Sequence, residues 1–223
     1  MSNIQNIMDM IKEHDVQFID LRFTDPRGKW QHTAQHVSTV NDDFFNDGIM
    51  FDGSSIAGWK AINESDMTLM PDPDSAVMDP FTAQPQMIIF CDVLEPSTGE
   101  PYARDPRSTA KKAEQYMRSS NTADTAYFGP EAEFFVFDDV RYDVSMNQTF
   151  YQIDSEEGPY NSGSEFPEGN YGHRPAIKGG YFPVPPVDSM TDMRAEMVTQ
   201  MVEMGLDMEK HHHEVAPSQH ELG

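Results

Sequence analysis

The chain has 223 residues, 38% of them apolar and 11% aromatic, which is enough for a core and too much for a disordered acidic tail. Its 38 acidic residues outnumber the 15 basic ones, for a formal net charge of −23. Such a surface repels nucleic acid and anionic membranes and attracts cations, so no nucleic-acid or membrane partner is expected. A single cysteine, Cys91, lies in the apolar run Met87-Ile88-Ile89-Phe90-Cys91. It cannot pair within the chain and points to a reducing compartment. The N-terminus lacks the apolar stretch of a signal peptide, and no segment approaches the ~18 apolar residues of a membrane span, so a cytoplasmic protein is expected.

Ile4, Ile7, Met8 and Ile11 recur at helical spacing behind Ser2, which suits an N-cap. Ile19, Leu21 and Phe23 alternate as in a half-buried strand, Asp25-Pro26-Arg27-Gly28 reads as a turn, and Trp30 to Val37 as the return strand. Residues 41–85 read as a polar loop region, and Gln86 to Val93 as the next strand. Glu95 to Arg107, rich in Pro and Gly, marks the expected boundary between two units.

The second unit opens with a helix near Pro106, with Asp105 as its cap. Tyr127 to Val140 reads as one strand, and residues 153–186 as a long ordered loop of a kind that is usually functional. Met190, Met193, Met197, Met201 and Met204, with Val198 and Val202, form an apolar stripe on a helix capped by Asp188 and ended by Gly205. Its chemistry is core packing. Leu206 to Val215 is a further strand, and the pair Glu156-Glu157 is expected on the solvated surface.

Three clusters carry chemistry. Glu131 and Glu133 are two apart, so on a strand their carboxylates share a face roughly 6–7 Å apart. At an effective dielectric near 20 their repulsion is on the order of 2 kcal/mol. Among the flanking Phe134, Phe135, Val136 and Phe137 such a pair demands neutralisation, and few basic residues are near in sequence. That favours Mg²⁺ or Mn²⁺. The alternative is an edge strand whose acids face water. His211-His212-His213-Glu214 with Glu221 is the second cluster. Consecutive residues on a strand alternate faces, so at most His211 and His213 share one site, and any one ring also suits a core hydrogen bond. Glu214 and Glu221 are the better ligand candidates. Asp52-Gly53-Ser54-Ser55, the third cluster, is turn chemistry on its face.

The segments Phe51-Asp52-Gly53-Ser54-Ser55-Ile56, Gly129-Pro130-Glu131-Ala132-Glu133-Phe134, Lys178-Gly179-Gly180-Tyr181-Phe182-Pro183 and His212-His213-Glu214-Val215-Ala216-Pro217 resemble, in order, the signature blocks of type I glutamine synthetase. The resemblance implies an α+β protein: a small β-grasp-like N-terminal domain over 1–100, then over 105–223 the first part of a catalytic domain with a curved antiparallel sheet. It implies ATP-dependent ligation of ammonia to glutamate through a γ-glutamyl phosphate, with two Mg²⁺ or Mn²⁺ ions per complete site. Sites would lie between neighbouring subunits of a homo-oligomer of two stacked rings, each completed by the next subunit's N-terminal domain. Glu133, Glu214 and Glu221 resemble ligands of the ion that organises glutamate and ammonium, and Glu131 a ligand of the ion that bridges the ATP phosphates. Glu209 resembles the ATP contact. Asp52 resembles the group that binds ammonium and takes its proton, with Ser55, Tyr181 and Glu214 as other parts of that pocket.

The family's further ligands, its phosphate-binding arginines and its mobile acidic loop lie in segments that would follow Gly223, so the chain alone is expected to lack synthetase activity, with an exposed strand edge and a tendency to aggregate. Two other readings stand beside this one. One is a relative that ligates glutamate to a larger amine, against which Asp52, Ser55 and Tyr181 argue. The other is a non-catalytic acidic metal-binding or interaction module.

Overall fold

A computed structural model of the chain describes residues 3–158 and 172–223. They form two compact units, Met1–Ala126 and Tyr127–Gly223. The expected Ser2 cap and part of the 153–186 loop lie outside the described residues.

In the first unit, α1 (Asn3–Glu13) buries Ile7 and Ile11, the same side of the helix that the spacing marks. It is followed by β1 (Phe18–Thr24) and β2 (Trp30–His36), an antiparallel hairpin. Its turn is held by Asp25, whose Oδ1 accepts the N–H groups of Arg27 (2.9 Å) and Lys29 (3.0 Å). Ile19, Leu21 and Phe23 are buried, as their alternation requires. At the centre lies β6 (Gln86–Leu94), parallel to β1.

Residues 41–85 depart from the loop expectation. They fold into α2 (Asp42–Asn46), β3 (Ile49–Asp52), β4 (Asp66–Pro71) and the short β5 (Val77–Met78). The sheet order is β2-β1-β6-β4-β3, with β5 also on β6. The main apolar anchors of this stretch, Phe44 and Phe45 in α2 and Met67 and Leu69 in β4, are all buried. Asn41 caps α2 through the Phe44 N–H, 3.0 Å. α3 (Pro106–Ser119) begins as expected, with Asp105 accepting the N–H groups of Arg107 and Ser108.

In the second unit, the expected strand over 127–140 is two. β7 (Ala132–Phe135) ends where the Val136 N–H turns to the Ser218 carbonyl, and β8 (Asp139–Val144) pairs with β9 (Thr149–Asp154) in a separate hairpin. β10 (His211–His213) and β11 (Gln219–Leu222) complete an antiparallel sheet in the order β10-β11-β7. β7 is therefore an edge strand, and Glu131 and Glu133 are exposed rather than buried among the phenylalanines. α4 (Thr191–Glu203) packs on β10 and β11. Its methionines are half-buried, and Gly205 ends it in the left-handed region at φ 91°. The cap is Met190, without a side-chain bond, because Asp188 is engaged elsewhere.

Candidate metal centre

The register of the three-stranded sheet builds the site. His212 on β10 stands opposite Glu221 on β11, and Glu221 stands opposite Glu133 on β7. A row of one imidazole and two carboxylates thus crosses three strands at one level. Glu214, two residues beyond His212, returns to the same face. Ligand atoms of His212, Glu214 and Glu221 all lie within 4.8 Å of one another. The ring of His212 is 3.7 Å from Glu214 and 3.6 Å from Glu221. Gln219 Nε2 donates to Glu133 at 2.7 Å and Val215 N–H to Glu214 at 2.9 Å, so both carboxylates are aimed by bonds from the fold.

Glu214 and Glu221 are 5% and 6% exposed, two buried carboxylates facing each other. Burial raises the Glu221 carboxyl, and its hydrogen bond with Glu214 adds to this, while His212 works the other way. The charge of Glu131 also reaches Glu221. A cluster strained in this way fits a small divalent cation: oxygen donors with one imidazole are the donor chemistry of Mn²⁺ and Mg²⁺. Zinc structural sites favour thiolate and imidazole, and the one cysteine belongs to the other unit.

Tyr181 reaches the cluster because Gly180 lets the backbone close in. Gly180 N–H donates to the Val215 carbonyl at 2.8 Å, and a Cβ there would lie 2.8 Å from the Glu214 carbonyl oxygen. The field of Glu214, then burial, with smaller parts from Glu133 and Glu221, raises the Tyr181 hydroxyl, a group that can donate. Phe182 packs edge-on against His212, ring centroids 4.9 Å apart. Glu209 is exposed, its N–H donating to the Gly223 carbonyl at 2.8 Å.

Asp52 and Ser55 belong to the first unit. Asp52 caps a 3₁₀ turn over Gly53–Ser55, so the turn reading of this segment is correct as local structure. Its Oδ1 accepts the Ser54 hydroxyl at 2.6 Å and N–H at 2.8 Å, which hold the exposed carboxyl below the usual carboxylate range. Gly53 is required by contact: a Cβ there would meet the Met67 sulfur at 2.6 Å.

Two features escaped the sequence. His212, not the His211 and His213 pair, faces the carboxylates, and only the β10–β11 register decides which face that is. Glu157, expected in solvent, is 3% exposed. Its Oε1 accepts the Ser189 N–H and hydroxyl at 3.0 and 2.8 Å, and its Oε2 the His213 Nε2 and Ser218 N–H at 2.8 and 2.9 Å. Beside it, Arg194 is 0% exposed, forms a bidentate pair with Asp188, and donates to His220 Nδ1 at 2.8 Å. Burial pushes the His220 ring down to about 4.

Burial alone would raise the Glu157 carboxyl, but the bonds from His213 and Ser189 bring it down to about 2. A carboxyl depressed on folding adds stability above its unfolded value and loses it as the pH falls through its folded one. Between roughly pH 4.5 and 2 the second unit is therefore expected to lose on the order of 3 kcal/mol from this group. Denaturant melts of the wild type and the Glu157→Gln chain across that range check it, because the difference between them should shrink toward pH 2.

Fold and site together define a class: a two-unit α+β chain with a carboxylate–imidazole donor set on an antiparallel sheet. Residues 15–96 match the family described as glutamine synthetase, beta-grasp domain, and residues 103–223 match glutamine synthetase, catalytic domain. The chain belongs to the glutamine synthetase family. It is 69% identical over 223 residues to the glutamine synthetase of Azospirillum brasilense and 61% identical to that of Rhizobium meliloti strain 1021. Each match covers 100% of this chain and 48% of the relative, so the chain spans about half the length of the curated relatives it matches. A cryo-EM structure of Plasmodium falciparum glutamine synthetase superposes with TM-score 0.88 at 25% identity, over 100% of this chain and 44% of that one. The α+β class and the β-grasp start expected from the signature blocks hold. No helix among the described residues is long and apolar enough to cross a membrane.

Proposed function

We propose that this chain is part of a cytoplasmic, ATP-dependent glutamate–ammonia ligase, and that His212, Glu133, Glu214 and Glu221 hold one of its Mg²⁺ or Mn²⁺ ions. The observation that carries the reading is the row His212, Glu221, Glu133 across three strands, with Glu214 closing on it. Glu131, exposed just before β7, is the ligand proposed for a second ion, and Glu209 the contact for ATP.

The reaction sets the requirements. The side-chain carboxylate of glutamate attacks the γ-phosphate of ATP, releasing ADP and giving a γ-glutamyl phosphate. Ammonia then displaces phosphate from that acyl carbon. The bound cations supply positive charge that screens the approaching anions. The residues of this chain supply part of what the reaction needs. Asp52, kept ionised by Ser54, attracts ammonium and receives its proton, and Ser55 lies beside it on the same turn. Tyr181, its hydroxyl raised first by the charge of Glu214, donates a hydrogen bond at the pocket's edge. Glu214 serves both cation and ammonium.

The proposal includes a homo-oligomer of two stacked rings, in which Asp52 of one subunit completes the site of the next. Large apolar side chains exposed in the same unit as Asp52, Met50 at 55% and Ile62 at 85%, support burial of apolar surface of this unit in an assembly. The reducing setting suits Cys91, which is buried, with its thiol pushed up by that burial and so unreactive.

The test is ATP- and glutamate-dependent phosphate release by the product of the longest reading frame that contains this chain. Ammonium should stimulate it, and Asp52→Asn should raise the ammonium KM and lower kcat by roughly 10²-fold or more, within the general-base range. Release indifferent to ammonium but stimulated by a larger amine would favour the related ligase. No release at all, with Mn²⁺ still bound, would favour a non-catalytic metal-binding module.

A further inference from the structure

Glu157 is a buried carboxylate to which the chemistry above gives no task. Among the described residues, four donors from three stretches of chain converge on it: two from Ser189, one from the His213 ring and one from the Ser218 backbone. An apolar side chain would fill the same space, but only a doubly accepting anion ties these stretches together. His213 continues the chain of contacts, with Nδ1 at 2.6 Å from the Glu214 carbonyl oxygen. The other ring nitrogen, Nε2, meets the Glu157 carboxylate at 2.8 Å. Ser218 sits in the left-handed region at φ 66°, which a non-glycine residue keeps only when its surroundings hold it there. Its N–H bond to Glu157 is such a hold.

His213 closes β10 and Ser218 is the last residue before β11, so the two bracket the connection that begins with Glu214 and leads into the strand carrying Glu221. We propose that Glu157 is the positioning residue of the cation site, fixing the spacing of Glu214 and Glu221 by holding both ends of that connection through His213 and Ser218. The inference rests on the cation reading above and adds to it a residue that touches neither cation nor substrate.

Mn²⁺ alone is the probe. Its binding to the 223-residue chain is read by the free-ion EPR signal in the wild type and in Glu157→Gln, Glu221→Gln and Met197→Ala, each also melted in chelator. Met197, half-buried on α4, serves as a packing control. Glu157→Gln keeps the shape and loses the anion, and is expected to weaken Mn²⁺ binding 10- to 100-fold and to alter the bound-ion spectrum. Met197→Ala should lower Tm yet bind within about twofold of the wild type, since no bond of the clamp is touched. If Glu157→Gln does not fold, Ser189→Ala removes one of the four donors and should weaken binding about threefold or more. Unchanged binding in the folded Glu157 or Ser189 variant, or affinity that falls with Tm alike in the packing control, overturns the inference. A wild type that does not bind, or Glu221→Gln that binds as well, overturns the cation reading itself and the inference with it.

Discussion

Glu221→Gln is expected to stabilise the cation-free chain while abolishing its response to Mn²⁺. The two signs follow from one geometry. Glu214 and Glu221 are both buried, and their oxygens converge with His212 within 4.8 Å. Without a cation this arrangement keeps two carboxylates in mutual contact, and burial already raises Glu221. An amide at this position accepts and donates hydrogen bonds without the charge, so Tm in chelator should rise by a few degrees, or on the order of 1 kcal/mol. With Mn²⁺ the order reverses. A wild-type chain at 100 times its Kd gains about 2.7 kcal/mol. The variant has lost a charged ligand and should bind at least ~100-fold more weakly, beyond the range of an outer-shell change. Thermal melts in chelator and in Mn²⁺ read both signs. A variant less stable in chelator, with an undiminished Mn²⁺ shift, would contradict the assignment.

Arg194→Met should be the most destabilising single change in the second unit. The guanidinium is 0% exposed, forms the bidentate pair with Asp188, and donates to ring nitrogens of His220 and His211. Methionine fills much of the volume but leaves the Asp188 carboxylate, 6% exposed, without its counter-charge. Breaking a buried pair from one side costs about 3–5 kcal/mol. Replacing both charges, as Arg194→Met with Asp188→Leu, should recover part of that loss because no uncompensated charge remains. Chemical denaturation of the two variants decides it. A single variant within about 1 kcal/mol of the wild type, or a double variant worse than the single, would mean that the pair does not anchor α4.

The parts of this fold that were legible in the sequence are those with strong local signals. Ile4, Ile7, Met8 and Ile11 mark α1, the alternation Ile19, Leu21, Phe23 marks β1, and Asp105 before Pro106 marks the start of α3. Residues 41–85 were opaque because their strands are short and flanked by acids and prolines, and pair with partners far along the chain, as Met70 does with Asp92. The phenylalanines after Glu133 suggested a buried strand, yet β7 has one neighbour and its ladder stops at Val136. The same limit governs the site. Alternation correctly separates His212 from His211 and His213, but no local signal reveals that β11 brings Glu221 to the His212 side. Glu157 looked like a surface acid because its partners come from residues 189, 213 and 218, distances along the chain that composition does not register.

The claim on which the rest depends is that His212, Glu214, Glu221 and Glu133 surround one divalent cation. Crystals grown with Mn²⁺ and measured for its anomalous scattering test it directly. A peak is expected within about 2.0–2.6 Å of the Glu214 and Glu221 carboxylates and the His212 ring, with Glu133 turned toward it. Well-ordered density for these side chains with no anomalous peak among them, at Mn²⁺ concentrations that bind the chain in solution, would contradict it.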